Sequence, residues 1–253
     1  MAIQNVPAEQ QPFKYITGLA LSNDATTPNT KIDVASGQCR DSNDIIDMVY
    51  AASTIIDCGV HGLNGLDTGS LAASTFYKVF AIADSSNYLV SGFIVTLQTN
   101  SVPLMPLGYD SYRLIGYVLT DGSSHFLSFY MAQNSASNLR YVQYDAPISI
   151  AITGSGTSAT YSAMDLSIAV PLDHFEKVKI YAKWDPNAAG DTLTLQATGG
   201  VGNWLINTAI STPLQDFVFD ILPLTAAAKP EISYKVSAGT LTVITVLGYN
   251  FLV

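Results

Sequence analysis

The residues in this chain that could do chemistry are few and scattered. Its three histidines, His61, His125 and His174, lie in separate segments, so no His-x-x-x-His or His-Glu spacing is present to cage a metal ion. The nearest approach to a ligand pair is Cys58-Gly-Val-His61, which brings a thiol and an imidazole close in sequence. A transition-metal site needs further ligands, and Asp57 and Asp67 supply them only if the loop folds back; a loop histidine with ordinary hydrogen bonds is the plainer reading. Nucleophilic catalysis calls for a serine on a strained Gly-x-Ser-x-Gly elbow or a cysteine in an electropositive niche. The glycine clusters Gly154-Ser-Gly156 and Gly199-Gly-Val-Gly202 lead into no convincing helix and continue into no Gly-Lys-Ser/Thr, so they read as hairpin or bulge glycines. Asp41, Asp44 and Asp47 form a carboxylate cluster that could hold Ca²⁺, without the loop glycine and terminal glutamate of an EF-hand. A glycosidase needs only two suitably spaced carboxylates, and the sequence singles out no such pair. The expectation is a protein that is not an enzyme and has no cofactor.

Aromatic residues offer binding rather than catalysis. There are fourteen tyrosines and two tryptophans, Trp184 and Trp204. Exposed aromatic rings stack on sugars, but Tyr and Phe on strands more often serve a core or an interface. Trp204 follows a glycine-rich turn and is the candidate for glycan contact.

The elements that must carry these residues are strands. Apolar residues come in short blocks rich in Val, Ile, Tyr, Phe and Thr, separated by Gly, Asn, Asp, Ser or Pro, with almost no helical periodicity. Expected strands include 15–22, 31–34, 38–41, 45–50, 75–84, 92–96, 111–119, 125–131, 139–145, 177–184 and 240–246. Asp121-Gly122 marks a hairpin, and Asp67 or Thr68 could cap one short helical turn running toward Thr75. The fold class is all-β: antiparallel β-sandwich or barrel modules with little helix. A composition shift near Asp145 and Pro147 divides the chain into an N-terminal module, 1–146, and a C-terminal β-sandwich, 147–253.

Charged residues make up only 12% of the chain, about half the usual share, while apolar residues make up 48%. No apolar run approaches the roughly 20 residues of a spanning helix, so no membrane partner is expected. The first residues have neither the basic nor the apolar region of a signal peptide. A net charge of −9 with scattered Lys and Arg excludes nucleic acid as a partner. What remains is a chain that covers much of its surface with other chains. Cys39 and Cys58 read as reduced, buried hydrophobes rather than a disulfide. The long apolar stretch 241–253, which includes Tyr249, would aggregate at an open edge; either its own sandwich or a subunit interface must cover it.

A succession of motifs adds a family resemblance. Gly18-Leu-Ala-Leu-Ser-Asn-Asp24 is followed by Thr30-Lys-Ile-Asp-Val-Ala-Ser-Gly-Gln-Cys-Arg-Asp-Ser42, then by Gly65-Leu-Asp-Thr-Gly69 and Thr75-Phe-Tyr-Lys-Val-Phe-Ala-Ile82. Pro106-Leu-Gly-Tyr-Asp-Ser-Tyr-Arg-Leu-Ile-Gly116 completes the series. Over roughly half the chain, this order resembles a module of tailed-bacteriophage virion proteins. The chain departs from that pattern at Lys78, where the module has His, and at Leu114, where it often has a second Arg. The resemblance implies a structural virion protein, assembled in the bacterial cytoplasm, that decorates or cements the phage head. The alternative is a tail-fibre or appendage module binding host surface glycan. By analogy it implies a homotrimer in contact with the major capsid protein or other virion proteins. Arg40, Asp41 and Arg113 are expected to anchor strands or subunits, with Asp33, Asp67 or Asp110 as carboxylate partners of a buried arginine.

Overall fold

The structure, a computed structural model, describes residues 14–133, 138–198, 205–208, 215–221, 224–226 and 229–253. Among these the fold is all-β, as expected. Among the described residues there is no α-helix, and the helical element seen is a 3₁₀ turn, Thr153–Gly156, in which Gly154 and Ser155 are left-handed. At the expected helical turn after Asp67 the chain only bends, because the Asp67 carboxylate accepts from the adjacent Thr68 N–H and from Leu104 N–H instead of starting a helix.

The strands are β1 Ile16–Gly18, β2 Leu21–Asn23, β3 Lys31–Val34, β4 Gly37–Arg40, β5 Asp47–Tyr50, β6 Thr54–His61, β7 Gly65–Leu66, β8 Phe76–Asp84, β9 Asn87–Leu97 and β10 Ser111–Leu119. They continue as β11 Phe129–Gln133, β12 Leu139–Ser149, β13 Ser162–Asp165, β14 Phe175–Asp185, β15 Thr192–Ala197, β16 Leu205–Thr208, β17 Gln215–Ile221, β18 Leu224–Ala226, β19 Lys229–Val236 and β20 Thr240–Leu252. They form two compact units, one containing the chain up to Leu127 with 131–140 and Val253, the other 128–130 with 141–252. The residue 146/147 division expected from composition falls inside β12.

In the first unit the expected strand 15–22 is two strands. Gly18 and Leu19 both take left-handed backbone conformations (φ 68° and 53°), which turns the chain from the sheet of β1 into that of β2. Glycine adopts this geometry freely, whereas Leu19 must be held in it. A small antiparallel sheet, β1-β4-β5, sets Ile16, Cys39 and Met48 in one cross-strand row, all buried. Strand β1 approaches β4 so closely that a side chain at Gly37 would collide with the Thr17 carbonyl. The small sheet packs on a larger one, ordered β10-β8-β9-β7-β6-β3-β2. Tyr50 stacks on Phe93 at 4.5 Å, and its hydroxyl is shared between the Ile82 and Gly92 carbonyls. Strand β8 is buried on both faces, as its nearly unbroken apolar sequence suggests. A bulge between Leu114 and Gly116 brings Gly116 against Leu21 and Met131.

The second unit pairs two sheets. One runs β12-β20-β14-β17; the other runs β13-β19-β15-β16, with β18 also on β19. Strand β14 alternates cleanly, with Val178, Ile180, Ala182 and Trp184 buried and Lys177, Lys179, Tyr181 and Lys183 outward. Leu193, Leu195, Ile232, Tyr234 and Val236 line the buried face of the other sheet, completing a sandwich core. The apolar stretch 241–253 is a central strand here, flanked by β12 and β14, so its own sandwich covers it.

Candidate functional site

The residues singled out for chemistry are engaged in holding the first unit together. The β4–β5 hairpin shows how. Asp41, almost wholly buried, accepts N–H bonds from Ile45 (2.6 Å) and Ile46 (2.9 Å) through Oδ1 and from Asn43 (3.2 Å) through Oδ2. Asp44 takes a left-handed φ and accepts from the Lys14 N–H at 2.6 Å. Asp47 lies 3.5 Å from Arg40 Nε and accepts a hydrogen bond from the Tyr15 hydroxyl, whose proton is held far more tightly through burial and that contact. In the cluster considered for Ca²⁺, Asp41 and Asp44 thus accept from backbone N–H groups while Asp47 faces Arg40 and Tyr15. Among the described residues, no group of three or more His, Cys, Asp and Glu side chains is arranged to hold a metal ion.

All three arginines of the chain, Arg40, Arg113 and Arg140, are buried in this unit. Arg113 donates to the Lys14 carbonyl at 2.9 Å, and burial lowers its pKa against the opposing pull of Cys39, Asp44 and Asp41. The expected carboxylate partners are occupied elsewhere. Asp110 accepts from Ser85 and Ser111, and Asp67 from Thr68 and Leu104. Asp33 lies across from Ile55 in the β3–β6 pairing.

Arg140, which the sequence reading did not single out, is the most completely buried of the three. Its Nη1 donates to the carbonyls of Leu19 (2.7 Å) and Ile115 (2.8 Å), and its Nη2 to that of Gly18 (2.5 Å). The left-handed Gly18–Leu19 kink thus turns two successive carbonyls toward one guanidinium. Burial pushes the Arg140 pKa down to about 10, Cys39 opposing the shift and Arg113 adding to it, so the group is still charged at neutral pH. Asn138 and Gln133 complete the arrangement by donating to the Lys14 and Ile16 carbonyls. The sequence holds a weak signal for this: an arginine in a strand pattern with no acidic neighbour at hand.

The other candidates are equally settled. His61 is exposed and its Nε2 lies 2.6 Å from the Gly69 carbonyl. His125 and His174 are half exposed beside Asp121 and Asp173. Cys39 and Cys58 are free thiols, each buried and each pushed up to about 12, chiefly by burial. Tyr249 is buried inside its own sandwich beside Tyr144 and Phe251, so its ring is not available to another subunit. Trp204 lies outside the described residues.

The surface offers something different. Residues 85–109 contain no charged side chain. Within them, the loop 98–109 that leads from β9 to β10 is anchored by Lys78 Nζ to the Asn100 carbonyl (3.0 Å), Asn100 Nδ2 to Thr96 Oγ1 (2.7 Å) and Leu104 N–H to Asp67. Pinned in this way, it turns Val102, Leu104 and Leu107 outward, Leu107 completely so. A second apolar display lies on the β4–β5 hairpin, where Ile45 and Val49 are exposed. Scattered exposed aliphatics are ordinary on a folded protein; three within six residues of one anchored loop are a denser display.

No family model and no curated protein matches this sequence. A solved structure described as "CBM4 structure and function" aligns at 14% identity over 50% of this chain and 87% of its own, with a TM-score of 0.22. A structure of infectious bursal disease virus, Gx strain, aligns at 12% identity over 94% of this chain and 71% of its own, with a TM-score of 0.14. At those scores neither likeness bears on function.

Proposed function

We propose that this chain is a non-catalytic structural protein that works by contact, and specifically that it is a phage virion component decorating the head. The observation that carries the reading is the anchored, charge-free loop 98–109 with Val102, Leu104 and Leu107 turned to solvent. The ion pair of Arg40 and the hydrogen bonds of Asp41 and Arg113 support it from the other side, since these motif residues serve as fold ties. The virion assignment itself rests on the motif succession in the sequence.

The test is made on particles of the phage that encodes the chain. The protein should copurify with full heads, and particles assembled without it should release DNA at lower temperature. A Leu104→Asn, Leu107→Asp double variant should keep its far-UV circular dichroism spectrum and lose binding to those heads, because both positions are exposed and the Lys78–Asn100 and Asn100–Thr96 anchors are untouched. Absence from purified particles sinks the proposal. Binding to host cells or their polysaccharide in place of heads would support the tail-appendage alternative.

A further inference from the structure

The two edges of the β1-β4-β5 sheet are treated in opposite ways. Along the β1 edge, alternate carbonyls are capped by side chains: Lys14 by Arg113 and Asn138, Ile16 by Gln133, and Gly18 by Arg140. A capped edge cannot accept another strand, which is one way proteins prevent uncontrolled sheet growth. Among the described residues the β5 edge has no such cover: β5 pairs with β4 alone, and the segment around it, Ile45-Ile-Asp-Met-Val-Tyr-Ala-Ala52, is strongly apolar. Ile45, Val49, Ala51, Ala52 and Ser53 are all exposed. Such a stretch with an open ladder invites pairing with another strand.

We propose that the β5 edge is an interface at which two copies of this chain pair their β5 strands antiparallel about a two-fold axis, joining two three-stranded sheets into one of six. The inference is independent of the virion reading. A self-paired edge needs a register in which inward residues meet inward residues and no like charges face each other. Centring the axis on Val49 meets both conditions. Val49 then faces Val49 of the second copy on the exposed side, Met48 faces Tyr50 on the buried side, and Asp47 faces Ala51. Moving the centre by two residues toward the start of the chain would set Asp47 against Asp47. For copies that each carry a charge of −9, the uncharged register is the favourable one. Because the β1 edge is capped, the sheet cannot grow at both ends, so this contact closes at two copies rather than forming a ring or fibre. That differs from the three-fold assembly expected by analogy.

Sedimentation velocity of the full chain over a concentration series tests the proposal. The wild type should shift from monomer to dimer at micromolar to high-micromolar concentration, as suits a short interface. Val49→Lys and Val49→Glu should each weaken the dimer about ten-fold or more, since like charges would then sit directly opposite each other. An equimolar mixture of the two variants should restore it. Val49 is more than half exposed, so neither variant buries its charge, and unchanged circular dichroism spectra check the fold. Hydrogen exchange gives a readout without substitution: amides of residues 47–51 should gain protection as wild-type concentration rises. A chain that stays monomeric overturns the proposal, as does an oligomer that Val49→Lys leaves intact or a variant mixture that fails to re-pair.

Discussion

Replacing Arg140 by methionine should strongly destabilise the first unit. The side chain is fully buried and its guanidinium satisfies the carbonyls of Gly18, Leu19 and Ile115. Methionine fills most of the volume and leaves those three carbonyls without a donor. Hydrogen bonds to a charged group contribute roughly 1.5–3 kcal/mol each, so three amount to about 4.5–9 kcal/mol gross. Removing the guanidinium also relieves the cost of burying a charge, several kcal/mol, which brings the net loss to about 3–4 kcal/mol. Lysine keeps the charge but not the fork, and should fall between, at about 1–3 kcal/mol. Both tryptophans lie beyond this unit's residues, so unfolding is best followed by far-UV circular dichroism and tyrosine fluorescence in urea. Hydrogen exchange at Leu19, whose N–H bonds the Ser36 carbonyl, localises the effect to the kink. If Arg140→Met unfolds within about 0.5 kcal/mol of the wild type, the guanidinium's burial cost equals its hydrogen bonding and the fork is not what holds the left-handed turn.

Asp41→Ala removes the acceptor of three backbone N–H groups in the β4–β5 hairpin and should cost about 2–4 kcal/mol in urea unfolding, with Asp41→Asn costing less because one oxygen remains. Gly37→Ala and Gly116→Ala should separate sharply. The first drives a methyl into the Thr17 carbonyl and Leu19 N of the backbone and should cost about 3 kcal/mol or more, whereas the second meets the movable ends of Leu21 and Met131 and should cost about 1 kcal/mol. Burial holds Cys39 and Cys58 in the thiol form, so a disulfide-exchange reagent at pH 8 should label neither in the native protein and both in denaturant. The same raised values mean that their contribution to stability is complete below about pH 9, the ordinary thiol value, and is lost as pH rises toward about 12. Cys39→Ala should flatten that alkaline decline, and an unchanged pH profile would refute the assignment.

Strand content was legible along most of the chain because the turn residues and the β-branched and aromatic blocks are local signals. The strand at 31–34, the hairpin of β4 and β5, the long alternation of β14 and the run of β8 are all written in their own residues. Strand β6 escaped notice because its sequence does not alternate: Ile55 is exposed while its neighbour Ile56 is buried. The Asp121-Gly122 pair marked a turn correctly, yet the left-handed residue there is Ser124, fixed by N–H bonds to the Asp121 carboxylate from Ser123 and His125. Of the charged residues, Arg40, Asp41 and Arg113 stood out through motif position. Their partners did not, because Arg113 binds a carbonyl that lies far away in sequence, and a carbonyl leaves no mark in the residue types.

The order of residue types by itself determined that this is an all-β chain, and composition that it is poor in charge. Tertiary structure alone decided which apolar segments are core and which are surface. The C-terminal stretch 241–253 and the loop 98–110 both carry several aliphatic side chains, but the first is flanked by strands on both sides and the second holds Leu104 and Leu107 outward. Burial is a property of what comes to lie against a residue, and for both segments those neighbours are set by strand order and long-range hydrogen bonds rather than by the segment's own residues.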